Sequence, residues 1–323
     1  MTNVKSEHYI PRFYLKRFST MRIKKSYLID VYNKKTKKTL LNQNIKKFAC
    51  INKFYDIDTK EINEQLDILF KFPNISLGDK DRILKDSQFI EHYFSNVESE
   101  IKPLFDALEK DHSIINDILF QIKFCIFIRD LSIRTKGFRE QMKKITSISL
   151  EQLRKLKIEK IANYDTSKSA EELAKKEQLQ AIVSLPLLVK EGNILLNEYD
   201  FYVGINDTKI SFIISDQPAL FVFTKCNEIC IPISAKTAII MRAKGENIKY
   251  ITDIIPTSYE INLTEKNVTY YNIIQFCTTN EYVFGNIKEI ERLVKLQKIS
   301  DIMNKIDVNE FQKEYWILWK QRK

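Results

Sequence analysis

An α+β fold, with a central helical portion and a mainly antiparallel sheet formed by N-terminal and C-terminal segments, is predicted by three features of this 323-residue chain. The first 60 residues carry strand-like alternation, the middle carries helical spacing of apolar residues, and β texture returns after Tyr199. No internal repeat or low-complexity linker separates these parts. The segments 1–60, 61–199 and 200–323 therefore read as a basic N-terminal part, a helical part and an α+β part that one integrated domain can hold.

Element by element, Tyr27-Leu28-Ile29-Asp30-Val31-Tyr32 reads as a strand. Residues 40–55 supply a further strand or a turn-rich connection. Ile62, Leu66, Leu69 and Phe70 sit at helical spacing, and the pattern resumes from Phe89 to Leu108 with a kink expected at Pro103. The stretch from Ile114 to Ile133 is the most apolar. It is broken by Asp117, Gln121, Lys123, Arg129 and Asp130, so it predicts a buried central helix and no membrane span. Two capping boxes, Ser149-Leu150-Glu151-Gln152 and Ser169-Ala170-Glu171-Glu172, predict helix starts, the second helix running towards Leu196 with a bend at Pro186. Phe201 to Ile205 and Ile210 to Ile214 flank Asn206-Asp207-Thr208 as a hairpin. Strands are expected at Ala219–Phe223, Ile229–Ile233 and Ala238–Met241. Helices are expected at Leu263–Phe276 and Ile287–Ile306, before the aromatic tail Tyr315–Trp319.

Hydrophobic residues make up 44% and charged residues 29%, values of a folded domain and far from a disordered chain. No apolar leader follows Met1, and five scattered cysteines form no framework, which predicts reduced thiols and a cytoplasmic setting. Charge is strongly segregated. Residues 1–60 hold 15 Lys/Arg against 4 Asp/Glu, whereas residues 61–323 hold 37 against 38. Lys34, Lys35, Lys37, Lys38, Lys46 and Lys47 create a local field suited to RNA or DNA phosphates, or else form a solvated lysine-rich hairpin. Arg12, Arg17 and Arg22 have the planar geometry for phosphate recognition.

The densest segment is His8-Tyr9-Ile10-Pro11-Arg12-Phe13-Tyr14-Leu15-Lys16-Arg17-Phe18, with four aromatics and three cations in eleven positions. Such a composition near a terminus must be tied into a core or a site, because free ends are polar and frayed. This segment resembles the opening signature of the bacterial domain-of-unknown-function 4238 family. Phe54-Tyr55-Asp56, the run around Glu91, Glu98 and Glu100, and Arg134-Thr135 with Phe138-Arg139 are similar to its later motifs in the same order. Phe212-Ile213-Ile214-Ser215-Asp216-Gln217-Pro218 resembles its strand-end Ser-Asp-x-Pro motif, with Ile231-Pro232-Ile233-Ser234 and Asn262 following. The resemblance spans nearly the whole chain and implies membership, with no reaction attached.

His8 is the natural proton-transfer group, and a helix would put Arg12 on its face, although Pro11 opposes a helix through Ile10. The alternative is that His8 and Tyr14 anchor the terminus to the core. Asp216, at a strand end, could bind a divalent metal, orient His8, hold a sugar hydroxyl, or simply close an Asx-turn. Arg129, Arg134 and Arg139 drift around a helix, and Arg134 is expected to pair with Glu91 or Glu98. A histidine zinc site, a Walker loop, a Rossmann fingerprint and an Arg-to-His ribonuclease pattern have no match, and Cys226 with Cys230 reads as structural. A restriction-type core fits poorly, since Ser234 stands where Lys236 should be preceded by an acid. Two expectations remain. One is a phosphate-directed enzyme, a nuclease or RNA-modifying effector of phage defence or toxin action, using His8, Arg12, Tyr14 and Asp216. The other is a non-catalytic nucleic-acid or protein-binding sensor.

Overall fold

The computed structural model describes residues 6–56, 86–161, 164–219, 226–245, 248, 250, 252, 254–256 and 258–295. The expected helix around Ile62–Phe70, the strand from residue 220 to 223, the end of the last helix and the aromatic tail lie outside them. The α+β class holds: helices fill the middle of the chain and the sheets are mostly antiparallel.

The first sheet is built from both ends of the chain, as the two outer β textures required. Strands β2 (Met21–Ile23), β3 (Ser26–Asn33) and β4 (Lys38–Asn44) come from the basic segment, β9 (Ile214–Ser215) and β13 (Tyr282–Gly285) from the C-terminal part. β13 lies between β3 and β9, with Val283 opposite both Tyr32 and Ser215. A bulge interrupts the β3–β4 ladder between Ile29 and Val31. Asn42 there has φ 52°, and its amide is held by the Asp30 carboxylate at 2.9 Å. β1 (Ser6–His8) pairs with β5 (Cys50–Asn52), tying the N-terminus down, and β6 (Lys160–Ile161) pairs with β7 (Tyr164–Asp165) in a separate short ladder.

The second sheet has the order β10 (Glu228–Pro232), β11 (Thr237–Ala243), β8 (Tyr199–Ile205), β12 (Glu260–Asn262), the last pair parallel. The hairpin expected between residues 201–205 and 210–214 is therefore corrected. β8 pairs with β11, and β9 crosses to the other sheet. Asn206 causes the exit: its side-chain amide donates to the Ile210 carbonyl at 2.7 Å and its own N–H to Lys236 O, closing a turn that leaves the sheet.

Among the described residues, the α-helices are α1 (Arg12–Lys16), α2 (Phe89–Leu108), α3 (Ile118–Ile133), α4 (Lys136–Lys155), α5 (Ala170–Val183), α6 (Leu185–Glu198), α7 (Glu265–Thr278) and α8 (Ile287–Lys295). α2 carries Pro103 inside it, and α3 is the buried central helix, its Phe124, Ile128 and Leu131 fully enclosed. Ser149 does not start a helix. α4 runs through it, because Thr135 is the true N-cap, its hydroxyl accepting from Phe138 N. The second capping box is realised, Ser169 and Glu172 bonding reciprocally. The bend expected at Pro186 is instead a break at Ser184, with Pro186 in the first turn of α6, where its missing N–H costs nothing. Buried residues from all three segments, among them Tyr14, Phe124 and Phe284, join one apolar core. Among the described residues, no helix is long and apolar enough to cross a membrane.

Candidate functional site

The dense N-terminal segment divides between core and surface. Tyr9, Ile10, Tyr14, Leu15 and Phe18 are buried, whereas Arg12 and Lys16 are exposed. Pro11 is the N-cap of α1, its carbonyl accepting from Tyr14 N and Leu15 N, so His8 ends a strand and Arg12 begins a helix. The two meet across this corner and not on one helical face.

His8, Arg12 and Lys16 line an open cleft of about 660 Å³. Its second wall is α2, which presents Glu91, Ser95 and Glu98 at i, i+4 and i+7, one helical face. Lys25 and Tyr27 from the β2–β3 hairpin and Asn44 to Lys46 complete it. The rim is thus cationic and the α2 wall acidic.

Arg134 fixes this geometry from beneath. It is buried, bonds Glu98 at 2.8 Å and the His8 carbonyl at 2.6 Å, and lies 4.0 Å over the Phe94 ring. Glu98 is the partner, one of the two expected. Tyr55 donates to the Arg134 carbonyl at 2.6 Å, and the Tyr55 amide donates to Glu7 at 2.6 Å. The family-like Phe54-Tyr55-Asp56 motif is therefore the clamp behind the cleft. Arg139 completes it, stacked 3.5 Å over Phe54 and bonded to Phe54 O and Gln178.

Among the described residues, two atoms of cleft-lining side chains, His8 Nδ1 and Glu91 Oε2, are buried without a hydrogen-bond partner. Burial, then the nearby charges of Arg12 and Arg134, push His8 down to about 4 against a backbone hydrogen bond at Phe48, so its imidazole is neutral at pH 7. Burial raises Glu91 above the usual carboxylate range, Arg134 opposing and Glu98 adding to the rise. Behind them, burial lifts Glu7 to about 7, the Tyr55 amide opposing and Asp56 and Glu91 reinforcing the rise. The other two histidines are held by carboxylates, His92 by Asp86 at 2.6 Å and His112 by Glu260 at 2.9 Å.

The remaining sequence candidates take positions outside this cleft. Tyr14 is wholly buried and donates to the Pro232 carbonyl. Arg17 bonds Asp106, Glu109 and the Ile233 carbonyl. Lys34 donates to the carbonyls of Phe276, Cys277 and Thr279, capping the C-terminus of α7. Lys35 sits 3.8 Å from Glu140 and Glu281. Lys37, Lys38 and Lys47 are exposed and outside the cleft lining; Arg22, exposed at its edge, bonds Lys24 O and lies 5.2 Å from the ring of the lining residue Tyr27. Lys46 alone of the lysine clusters lines the cleft.

Asp216 is 1% exposed, and its two oxygens accept the amides of Asn280 at 2.8 Å, Glu281 at 2.8 Å and Tyr282 at 3.1 Å. Burial lifts its acid to about 6, the three amides pulling the other way. The neighbouring backbone is stitched to α7. Asn272 takes Ile213 N, Gln275 takes Ser215 N and gives to Pro218 O, and Gln217 gives to Thr278 O. Gln217 also requires Gly137, where an added Cβ would sit 2.3 Å from its side chain. With both carboxylate oxygens committed, Asp216 does not fit as a metal ligand. Among the described residues, no group of three His, Cys, Asp or Glu side chains has the geometry to hold a metal ion.

Sequence reasoning placed Glu91 in the helical core and passed over Ser95, Lys16 and Lys25 as site residues. The i, i+4, i+7 spacing of Glu91, Ser95 and Glu98 is the signal that identifies this wall. A family model described as Protein of unknown function (DUF4238) matches residues 7–289. No curated protein matches the chain, and no solved structure does.

Proposed function

For a chain that belongs to this family, DUF4238, whose function is unknown, we propose a phosphate-directed enzyme of the nuclease class acting in the cleft between α1 and α2. The carrying observation is the pair of unpartnered groups, His8 Nδ1 and Glu91 Oε2, beneath a rim of Arg12, Lys16, Lys25 and Lys46. A neutral imidazole accepts a proton, and burial biases the Glu91 carboxyl towards being the donor of the pair. In the proposed step an attacking water or hydroxyl loses its proton to His8 and forms a new P–O bond. The opposite P–O bond breaks, and the leaving oxygen takes the Glu91 proton. Arg12 faces the negative charge that accumulates at phosphorus. Arg134 is a positioning residue, because it holds the His8 backbone and neutralises Glu98.

A second reading, a non-catalytic module binding the same ligand, is favoured by the structural employment of Tyr14, Arg17, Lys34 and Asp216. Cleavage of an end-labelled oligonucleotide separates the two. His8→Ala and Glu91→Gln, shown folded by circular dichroism, are each expected to lose roughly 100-fold or more of the rate. Wild-type rates in both folded variants overturn the enzymatic reading, and binding without turnover by the wild type supports the module.

A further inference from the structure

Three features of the cleft bear on which form of nucleic acid it takes. His8 Nδ1 and Glu91 Oε2 are sunk in its wall, each with almost no accessible surface. Cations from three parts of the chain line it: Arg12 and Lys16 on α1, Lys25 in the β2–β3 turn, and Lys46. Arg12 and Lys16 are one helical turn apart, about 6 Å along the axis, a step suited to consecutive phosphates of an extended strand. At the mouth, Lys16 Nζ lies 4.4 Å from the Tyr27 ring centroid and Arg22 Cζ lies 5.2 Å from it. The Tyr27 hydroxyl is hydrogen-bonded by Lys16 and shares its field with Arg22 and Lys102, and these charges hold it below its ordinary pKa.

Resting on the phosphate-directed reading, we propose that the ligand is single-stranded nucleic acid. One phosphate sits at His8 and Arg12, and the next at a subsite formed by Lys16, Arg22 and the Tyr27 hydroxyl. A duplex is too stiff to bend into a recess of this size, with a persistence length near 150 base pairs, and its phosphates ride on a convex surface. A single strand threads along the cationic rim, past the acidic α2 wall, and brings a phosphate to Arg12 beside His8. Base identity is weakly read. Tyr27 is already covered by cations, and the Phe13 ring packs against Tyr14, Phe105 and Phe127.

The test is fluorescence anisotropy with a labelled 12-nucleotide single strand and the same strand annealed to its complement, using the full chain carrying His8→Ala to prevent turnover. The single strand is expected to bind at least ten-fold tighter. Adding Lys16→Ala or Arg22→Ala should weaken it several-fold and flatten its salt dependence, while Lys37→Ala leaves it unchanged. Equal or tighter duplex binding overturns the inference and leaves the phosphate-directed reading standing, and so does a single-strand affinity unmoved by both cation variants. Failure of the His8→Ala chain and the wild type to bind either form overturns both.

Discussion

Replacing Asp216 by Ala removes the acceptor for three backbone amides, those of Asn280, Glu281 and Tyr282. These amides lead from α7 into β13, the strand between β3 and β9, so the loss loosens the joint between the two ends of the chain. A hydrogen bond to a charged group contributes about 1.5–3 kcal/mol net. Three bonds would give roughly 4–9 kcal/mol, but burial raises the acid to about 6, which marks an opposing desolvation cost. The lower end, about 4 kcal/mol, is the expected destabilisation. At about 2 °C per kcal/mol for a chain of this size, the melting temperature falls by roughly 8 °C. Asp216→Asn keeps one carbonyl acceptor but turns an NH2 towards a backbone N–H, so it should recover less than half of the loss. Reversible urea unfolding followed by circular dichroism measures both. Oligonucleotide binding per folded molecule is expected to stay at the wild-type level. A folded Asp216→Ala protein destabilised by less than about 1 kcal/mol that has nonetheless lost binding or cleavage refutes the reasoning and returns Asp216 to the site.

Lys34→Met should cost about 1 kcal/mol, because two α7 carbonyls and that of the C-cap Thr279 lose their cation, with oligonucleotide affinity unchanged in the same preparation. Arg134→Met leaves the half-buried Glu98 and the His8 carbonyl without their donor and should destabilise by about 3 kcal/mol, the loss of two hydrogen bonds to a charged group, as read by urea midpoint. The acid limb of stability belongs partly to His8. Its folded value near 4 lies below the ordinary 6.5, so the unfolded chain binds the extra proton between these values and stability falls as pH drops from 6.5 to 4. His8→Gln should flatten that limb. Glu7 acts in the opposite sense. Its folded value near 7 lies above 4.5, so the stabilisation present below 4.5 is lost as pH rises through 7, and Glu7→Gln should raise the melting temperature at pH 8 relative to pH 5.

The class of fold was legible because its signals are local: alternation in the β3 region, helical spacing from Phe89 to Leu108, and a real capping box at Ser169. Pairing was not legible. The segments on either side of Asn206 read as a hairpin from turn chemistry alone, and only the Ile210 and Lys236 carbonyls, the latter distant in sequence, decide that the chain changes sheets. The Ser149 box misled because the same residues are tolerated inside a helix already capped at Thr135. At the site, His8 and Arg12 were visible as rare chemistry in a dense segment. The roles of Tyr14 and Asp216 were not, since a polar group at a strand end serves a ligand or a backbone amide equally well until its partners are known. Glu91 was hidden for the converse reason. Its companion Glu98 is the one that neutralises Arg134, and sequence spacing cannot say which of two acids does so.

The central claim is that the His8 imidazole shares the cleft with the bound phosphate, and its titration tests this most directly. Ring carbon resonances of the three histidines, assigned by the loss of one signal in His8→Gln, can be followed against pH with and without the 12-nucleotide strand. Free protein should show His8 titrating near 4. A neighbouring phosphate should lift that value by about one unit or more, equivalent to about 1.4 kcal/mol of interaction with the imidazolium. A His8 titration that does not move at saturating strand contradicts the account.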